Sequence, residues 1–251
     1  MTIFGMLRVK NEARWIRQVL ESILPVCERV FVLDDHSTDD TYNACYLLHD
    51  KITAYRSPFM GLDESRDKSW LLERIMNCVS DMWLTGGESS PYWVLAIDGD
   101  EVLAPGGADA IKIAVRDTPY HAFKLPIVYL WDSMNTKRVD GVYRNFARPS
   151  LFRLMNRAFQ FQKTPWGGNF HCSSIPQELL HHAHATCGAA PLLHLGYMDR
   201  EDRMRKYRWY TTMDPNNEME DNYRHIVQGD VAEVPADMRL LHAGPLVLEN
   251  V

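Results

Sequence analysis

Three short polar runs hold most of the chemistry that this chain can offer. The densest is Asp98-Gly99-Asp100-Glu101, which follows the apolar stretch YWVLAI at residues 92–97. Two carboxylates two positions apart, at the end of a buried stretch, repel one another unless a cation or a hydrogen-bond donor relieves them. A divalent metal is the natural relief. Asp98 or Asp100 can bind Mg²⁺ or Mn²⁺ with diphosphate oxygens and water in the remaining positions, and Gly99 permits the tight bend between them. An EF-hand fails on register, since counting from Asp98 puts the required glycine on Leu103 and the required glutamate on Asp109. The second run, Asp34-Asp35, follows RVFVL; a carboxylate there accepts hydrogen bonds from a ribose hydroxyl or a base N–H, which suits a single nucleoside. The third, Lys10-Asn11-Glu12, follows IFGMLRV.

The elements that carry these runs alternate. Residues 3–9 read as a buried strand, and Asn11 is placed to cap a helix with Trp15, Ile16, Val19, Leu20 and Ile23 on its apolar face. Residues 29–33 form a second strand, with Ser37 or Thr38 capping a helix that carries Ala44, Cys45, Leu47 and Leu48. Residues 51–55 make a third strand, a long helix runs from about 63 to 84, and residues 92–97 are a fourth strand. Such alternation predicts an α/β fold, a mostly parallel Rossmann-like sheet flanked by helices, with ligands beyond the carboxyl ends of the strands. All three polar runs fall at such ends. From residue 120 the rhythm changes to a strand over HAFKLPIVYLW, a polar loop over 132–138 and shorter aromatic segments, then a charged helix over 199–213 and an acidic helical stretch beyond Pro215. The reading is one domain over 1–251, with parts at 1–105 and 106–214 and a tail at 215–251.

The 251 residues carry 27 Lys and Arg against 33 Asp and Glu, a net charge of −6, which argues against a surface built to attract nucleic acid. The five cysteines are scattered with no C-x-x-C pair, and no run of apolar residues is long enough for a signal peptide or a membrane span, so a cytoplasmic protein with reduced thiols is expected. His171, His181, His182 and His184 with Cys172 and Cys187 match no structural-zinc spacing. The first turn lacks the G-x-G-x-x-G device of dinucleotide sites, and no glycine-rich phosphate loop with lysine is present, which disfavours a phosphotransferase.

Taken in order, VKNEARWIRQVLESIL, FVLDDHSTDDT, ESRDKSW and YWVLAIDGDE resemble the nucleotide-sugar half of a family 2 type glycosyltransferase with a GT-A fold. The resemblance implies transfer of a sugar from a nucleoside diphosphate sugar, commonly a UDP-sugar, to a hydroxyl acceptor with the help of a divalent metal. It implies that Lys10, Asn11, Glu12 and Asp34 or Asp35 hold the nucleoside, that Arg66 approaches the nucleoside or diphosphate, and that Asp98 and Asp100 form the D-x-D metal motif. Leu193-His194-Leu195-Gly196-Tyr197 is similar to a segment that brings a histidine to the metal, making His194 the third-ligand candidate, and imidazole suits Mn²⁺. On the charged helix that follows, Arg203 and Lys206 are the candidates for neutralising the departing diphosphate. Trp166 and Gly167 sit where acceptor recognition is expected, an indole beside a glycine turn being suited to stacking on a ring.

An inverting transfer needs a base to take the acceptor proton, and Asp132, Asp140 and His171 are the candidates, with no signature to choose among them. The acceptor expected is a saccharide or another hydroxyl. A hydroxylated base in nucleic acid is a minority reading, resting on Arg144, Arg148, Arg153, Arg157 and Lys163 interleaved with aromatic residues. The alternative function is a sugar-nucleotide-binding domain that has kept the fold and lost turnover.

Overall fold

The structure is a computed structural model that describes residues 1–84, 91–155, 158–163, 171–216, 221–230 and 246–251. Its first elements are β1 (Thr2–Val9), α1 (Ile16–Ile23), β2 (Arg29–Asp34), α2 (Thr41–Tyr46), β3 (Ile52–Arg56), α3 (Glu64–Leu84) and β4 (Tyr92–Ala96). After them come β5 (Glu101–Leu103), α4 (Gly107–Ala114), β6 (Ala122–Trp131), β7 (Ser133–Arg138) and β8 (Ala147–Arg153). The chain continues through β9 (His184–Thr186), β10 (Leu192–His194), α5 (Arg200–Met213) and β11 (Leu248–Asn250).

The strands of the first half run parallel in the order β3-β2-β1-β4, so the carboxyl ends of β1, β2 and β4 lie side by side. Strand alternation explains how both faces of this sheet are covered. Ile3, Leu7 and Val9 of β1, Val30 and Val32 of β2 and Trp93 and Leu95 of β4 share one core with α1 and α4. Phe4, Met6, Phe31, Leu33, Tyr92, Val94 and Ala96 point the other way, into a core closed by Leu71, Leu72, Ile75 and Val79 of α3. The apolar stripe of α1, Ile16, Val19, Leu20 and Ile23, is fully buried, each side chain contributing about 1.5–3 kcal/mol. This is the α/β class that the sequence alternation requires.

Beyond β4 the sheet becomes mixed. β8 pairs antiparallel with β4 and with β6, β7 and β11 extend that edge, and the three-residue β10 lies antiparallel to β5 and parallel to β6.

Three local expectations need correction. Asn11 caps no helix: its backbone is left-handed (φ 55°), and α1 starts only at Ile16. The Asn11 N–H donates to Ser37 Oγ at 2.9 Å and its Oδ1 accepts from the Thr38 N–H at 2.8 Å, so residues 37 and 38 are also engaged elsewhere than in a cap. Asp39 accepts from the Thr41 N–H at the start of α2. The polar loop expected over 132–138 is instead strand β7, because a single residue, Asp132 at φ 63°, turns the chain back on β6. The helical stretch expected beyond Pro215 is met by a 3₁₀ helix over Asp221–Val227, residues 217–220 lying outside the described residues.

Candidate active site

Strand register assembles the acidic site. The carboxyl end of β1 delivers Lys10 and Glu12; that of β4 delivers Asp98, Gly99 and Asp100, and Glu101 opens β5. In β10, His194 stands opposite Glu101 on one side and Tyr129 on the other, and the Leu195 N–H donates to the Asp100 carbonyl at 2.8 Å. Gly196 follows, and a Cβ there would fall on Asp100 Oδ2 and Lys206 Nζ. Glycine at this position is what lets the Lys206 ammonium of α5 reach the Asp100 carboxylate. Apart from Leu195 and Gly196, these residues line one cleft of about 540 Å³, a size suited to a small-molecule ligand.

Four carboxylates, Glu12, Asp98, Asp100 and Glu101, meet two closely paired cations in this rim. Arg148 of β8 forks between Asp98 Oδ2 at 2.8 Å and Glu101 Oε2 at 2.6 Å. Lys206 Nζ contacts Asp100 Oδ2 and lies 3.7 Å from Glu12 Oε1. Burial pushes Glu12 up to about 7 against the pull of Lys206, and pushes Glu101 up to about 7 against Arg148. For Asp98 and Asp100 burial also raises the pKa, but Arg148 and Lys68 at the first, and Lys206 and His194 at the second, outweigh it and hold both below the usual carboxylate range. Burial lowers His194 to about 4, so its ring is neutral at physiological pH although its Nε2 lies 3.6 Å from Asp100 Oδ2. Asp98 keeps 44% of its side chain exposed to the cleft, against 5% for Asp100.

Two buried polar atoms here, Glu12 Oε2 and His194 Nδ1, have no hydrogen-bond partner. Such orphans call for a ligand, ion or water. The donor chemistry fits a divalent cation: two carboxylates in excess of the paired cations, a neutral imidazole and an orphaned carboxylate oxygen. In the present side-chain arrangement the carboxylates are turned to Arg148 and Lys206, and no three His, Cys, Asp or Glu side chains among the described residues converge as a ligand set.

The remaining sequence candidates divide. Asp35 is buried beneath the cleft floor, its Oδ2 accepting from Arg8 at 2.6 Å and Lys10 at 3.3 Å; Arg8 and Lys10 themselves line the cleft. Asp34 is buried, with Oδ1 unpartnered and Oδ2 accepting from the Ser37 N–H at 3.2 Å. Arg66 is tied down by Asp67 and by the carbonyls of Met60 and Gly61, its guanidinium over the Phe59 ring at 4.5 Å; it reaches the rim only through the Asp67 to Arg8 contact. Asn11 joins two loops, as described above.

Arg203 is not in the cleft lining. It is 2% exposed and satisfied by Asp230, by Asp132 at 2.8 Å and by the carbonyls of Tyr197 and Met198, with Trp131 stacked against it at 4.4 Å. That fixes Asp132 in a turn contact away from the rim. Asp140 is held bidentate by Arg138 at 2.8 and 2.9 Å, buried on both sides. Of the three base candidates, only His171 lines the cleft. Trp166 and Gly167 lie outside the described residues. Of the basic stretch, Arg148 turns inward to the acidic rim and Lys163 pairs with Asp63 at 2.8 Å, while Arg157 lies outside the described residues.

Sequence reasoning missed the aromatic part of the cleft lining. Tyr129 of β6 meets Tyr143 edge-on at 4.8 Å, stacks on Tyr197 at 5.9 Å and lies 5.0 Å from His194; Phe146, Trp209 and Tyr210 continue the lining. It also assigned no role to Glu101, and gave Arg148 only to the minority nucleic-acid reading. The one signal available was arithmetic: an acidic run entering a buried position demands a counter-charge, and Arg148 is an inward candidate by strand alternation.

No helix among the described residues is long and apolar enough to cross a membrane. No family profile matches the chain. No curated protein matches it in sequence. Among solved structures it is similar to Staphylococcus aureus TarS 1–349, at 14% identity and TM-score 0.39, over 61% of this chain and 47% of that one. It is also similar to glucosyl-3-phosphoglycerate synthase from Mycobacterium tuberculosis in complex with Mn²⁺, UDP and glucosyl-3-phosphoglycerate. That likeness has 22% identity and TM-score 0.35, over 51% of this chain and 44% of that one. The chain spans less than half the length of either structure. Its fold rests on its own strand order rather than on these likenesses.

Proposed function

We propose that this chain is a GT-A type glycosyltransferase that moves a sugar from a nucleoside diphosphate sugar to a hydroxyl acceptor. The observation that carries the reading is the over-acidic rim at the carboxyl ends of β1 and β4, in one cleft with a group of aromatic side chains. The parallel order β3-β2-β1-β4 supports it, since ligands in such sheets sit beyond those strand ends. Uridine as the nucleoside comes from the sequence resemblance, with Lys10, Glu12 and the Asp34-Asp35 pair beneath it. Asp98, Asp100 and His194 would hold Mn²⁺ or Mg²⁺, which when bound supplies Lewis-acid neutralisation of the diphosphate.

The chain's own groups do the rest. The Lys206 ammonium stands at the rim to stabilise negative charge on the leaving diphosphate, with Tyr197 and Tyr210 beside it in the cleft lining. The aromatic side chains offer faces on which an acceptor saccharide stacks. His171, in the cleft lining, takes the acceptor proton.

The test is a panel of nucleoside diphosphate sugars with and without Mn²⁺, read by thermal shift and by product formation. UDP-sugars are expected to stabilise the protein only with metal, by about 2.7 kcal/mol at roughly 100 times their Kd. Equal stabilisation without metal removes the metal assignment. A panel in which no nucleoside diphosphate sugar binds removes the function.

A further inference from the structure

Two groups converge on one oxygen of the rim, Asp100 Oδ2. The Lys206 ammonium of α5 rests on it, with Glu12 Oε1 3.7 Å from the same ammonium, and His194 Nε2 lies 3.6 Å from the same oxygen. Lys206 thus stands among Asp100, Glu12 and His194, the groups whose donor chemistry suits a divalent cation. Two cations drawn to a carboxylate that is only 5% exposed repel one another with little screening. One of them must leave.

The other counter-ion of the rim is not built to leave. Arg148 is a planar fork on β8 held by Asp98 at 2.8 Å and by Glu101 at 2.6 Å, so Glu101 keeps it when an Asp98 oxygen is drawn elsewhere. Lys206 is a point charge on a flexible four-carbon stem. Gly196 leaves that stem its room, since a Cβ there would fall on both Nζ and Cε of the lysine. Tyr197, another part of the cleft lining, has its ring 5.8 Å from Nζ.

We propose that Lys206 and the divalent metal are alternative cations for Asp100, and that Lys206 passes from Asp100 to the donor's diphosphate when the metal binds. This rests on the transferase reading above. Lys206 yields Asp100 and Glu12 to the metal, and the diphosphate becomes the negative charge that receives the released ammonium. Metal binding alone therefore has to separate an ion pair, and donor binding restores one. The metal binds weakly by itself and more tightly with a nucleoside diphosphate, and by linkage each raises the affinity of the other by the same factor.

The test is calorimetry on the full chain, with Mn²⁺ alone and then with UDP at saturating Mn²⁺, for wild type, Lys206→Met and Lys206→Gln. Mn²⁺ alone is expected to bind either variant on the order of 10-fold more tightly than wild type, because no ammonium has to be displaced. UDP at saturating Mn²⁺ is expected to bind the variants on the order of 10-fold more weakly, for want of one charged hydrogen bond. A lysine that only holds the fold together does not produce this opposite pair. Acylation of Lys206 in the wild-type chain, located by mass spectrometry, gives a reading that needs no variant: slow without metal, faster with Mg²⁺, and slow again with Mg²⁺ and UDP. Weaker or unchanged Mn²⁺ binding in the variants, unchanged UDP binding, or an acylation rate indifferent to Mg²⁺ overturns the exchange. If Mn²⁺ binds none of the three proteins, the metal assignment falls and the exchange with it. If the metal readings come out as expected but no nucleoside diphosphate sugar binds, the exchange at Asp100 stands, and the passage to a diphosphate falls with the transferase reading.

Discussion

Two buried ionic clusters lie within one fold and have opposite characters. Around Arg203, the guanidinium is met by Asp230, Asp132 and two carbonyls, and Arg138 is likewise closed by Asp140, the His225 carbonyl and Gln228. Around Asp100, four carboxylates share two closely paired cations, two of the acids are pushed up to about 7, and Glu12 Oε2 and His194 Nδ1 are orphaned. A satisfied buried cluster fixes geometry; an unsatisfied one stores free energy that a ligand can release. The sequence places Arg203 and Lys206 three residues apart on the same helix, yet the first belongs to the closed cluster and the second to the open one.

That contrast can be broken by substitution. Asp100→Asn should cost the most, lowering transfer on the order of 10³-fold while the protein still unfolds cooperatively, as measured by steady-state kinetics beside a urea transition. Arg203→Met leaves the buried Asp230 with only the exposed Arg200, 3.9 Å away, and should destabilise by roughly 3 kcal/mol in urea denaturation, with donor affinity of the folded protein unchanged. Should Arg203→Met instead abolish donor binding in a stable protein, the sorting of the two clusters fails. Gly196→Ala sharpens the picture from the packing side: the added methyl must push Lys206 from Asp100, lowering stability by about 1–3 kcal/mol and weakening the donor-induced thermal shift. Asp132→Ala should be mildest, below about 1 kcal/mol, because that carboxylate is 56% exposed and Arg203 retains Asp230.

What was legible in the sequence follows the same division. The parallel half could be read because its signals are local: apolar runs of strand length, a helical stripe at Ile16, Val19, Leu20 and Ile23, and polar residues immediately after each strand. The juxtaposition of Asp98 and Asp100 with Lys10 and Glu12 follows from strand order alone. The partners that decide which acids are open come from elsewhere. Arg148 arrives through β8 pairing beside β4, His194 through the double register of β10, and Tyr129 through β6; none of these pairings leaves a local trace. Nor does Arg203 differ from Lys206 in any pattern along α5, since the closed cluster depends on Asp132 and Asp230, at separations of 71 and 27 residues. The strand β7 was missed for a related reason: Ser133–Arg138 is polar because it lies between β6 and the edge strand β11.

The chain supplies its acids early and their counter-ions late. Arg148 follows Glu101 by 47 positions and Lys206 follows Asp100 by 106. During synthesis the parallel strands therefore emerge before Arg148 and Lys206, and the repulsion among Asp98, Asp100 and Glu101 subsides fully only as those later segments dock. Assembly of the cleft is thereby tied to synthesis of the segments that carry Arg148 and Lys206, so a chain stopped before them holds a sheet before it holds a charge-balanced cleft.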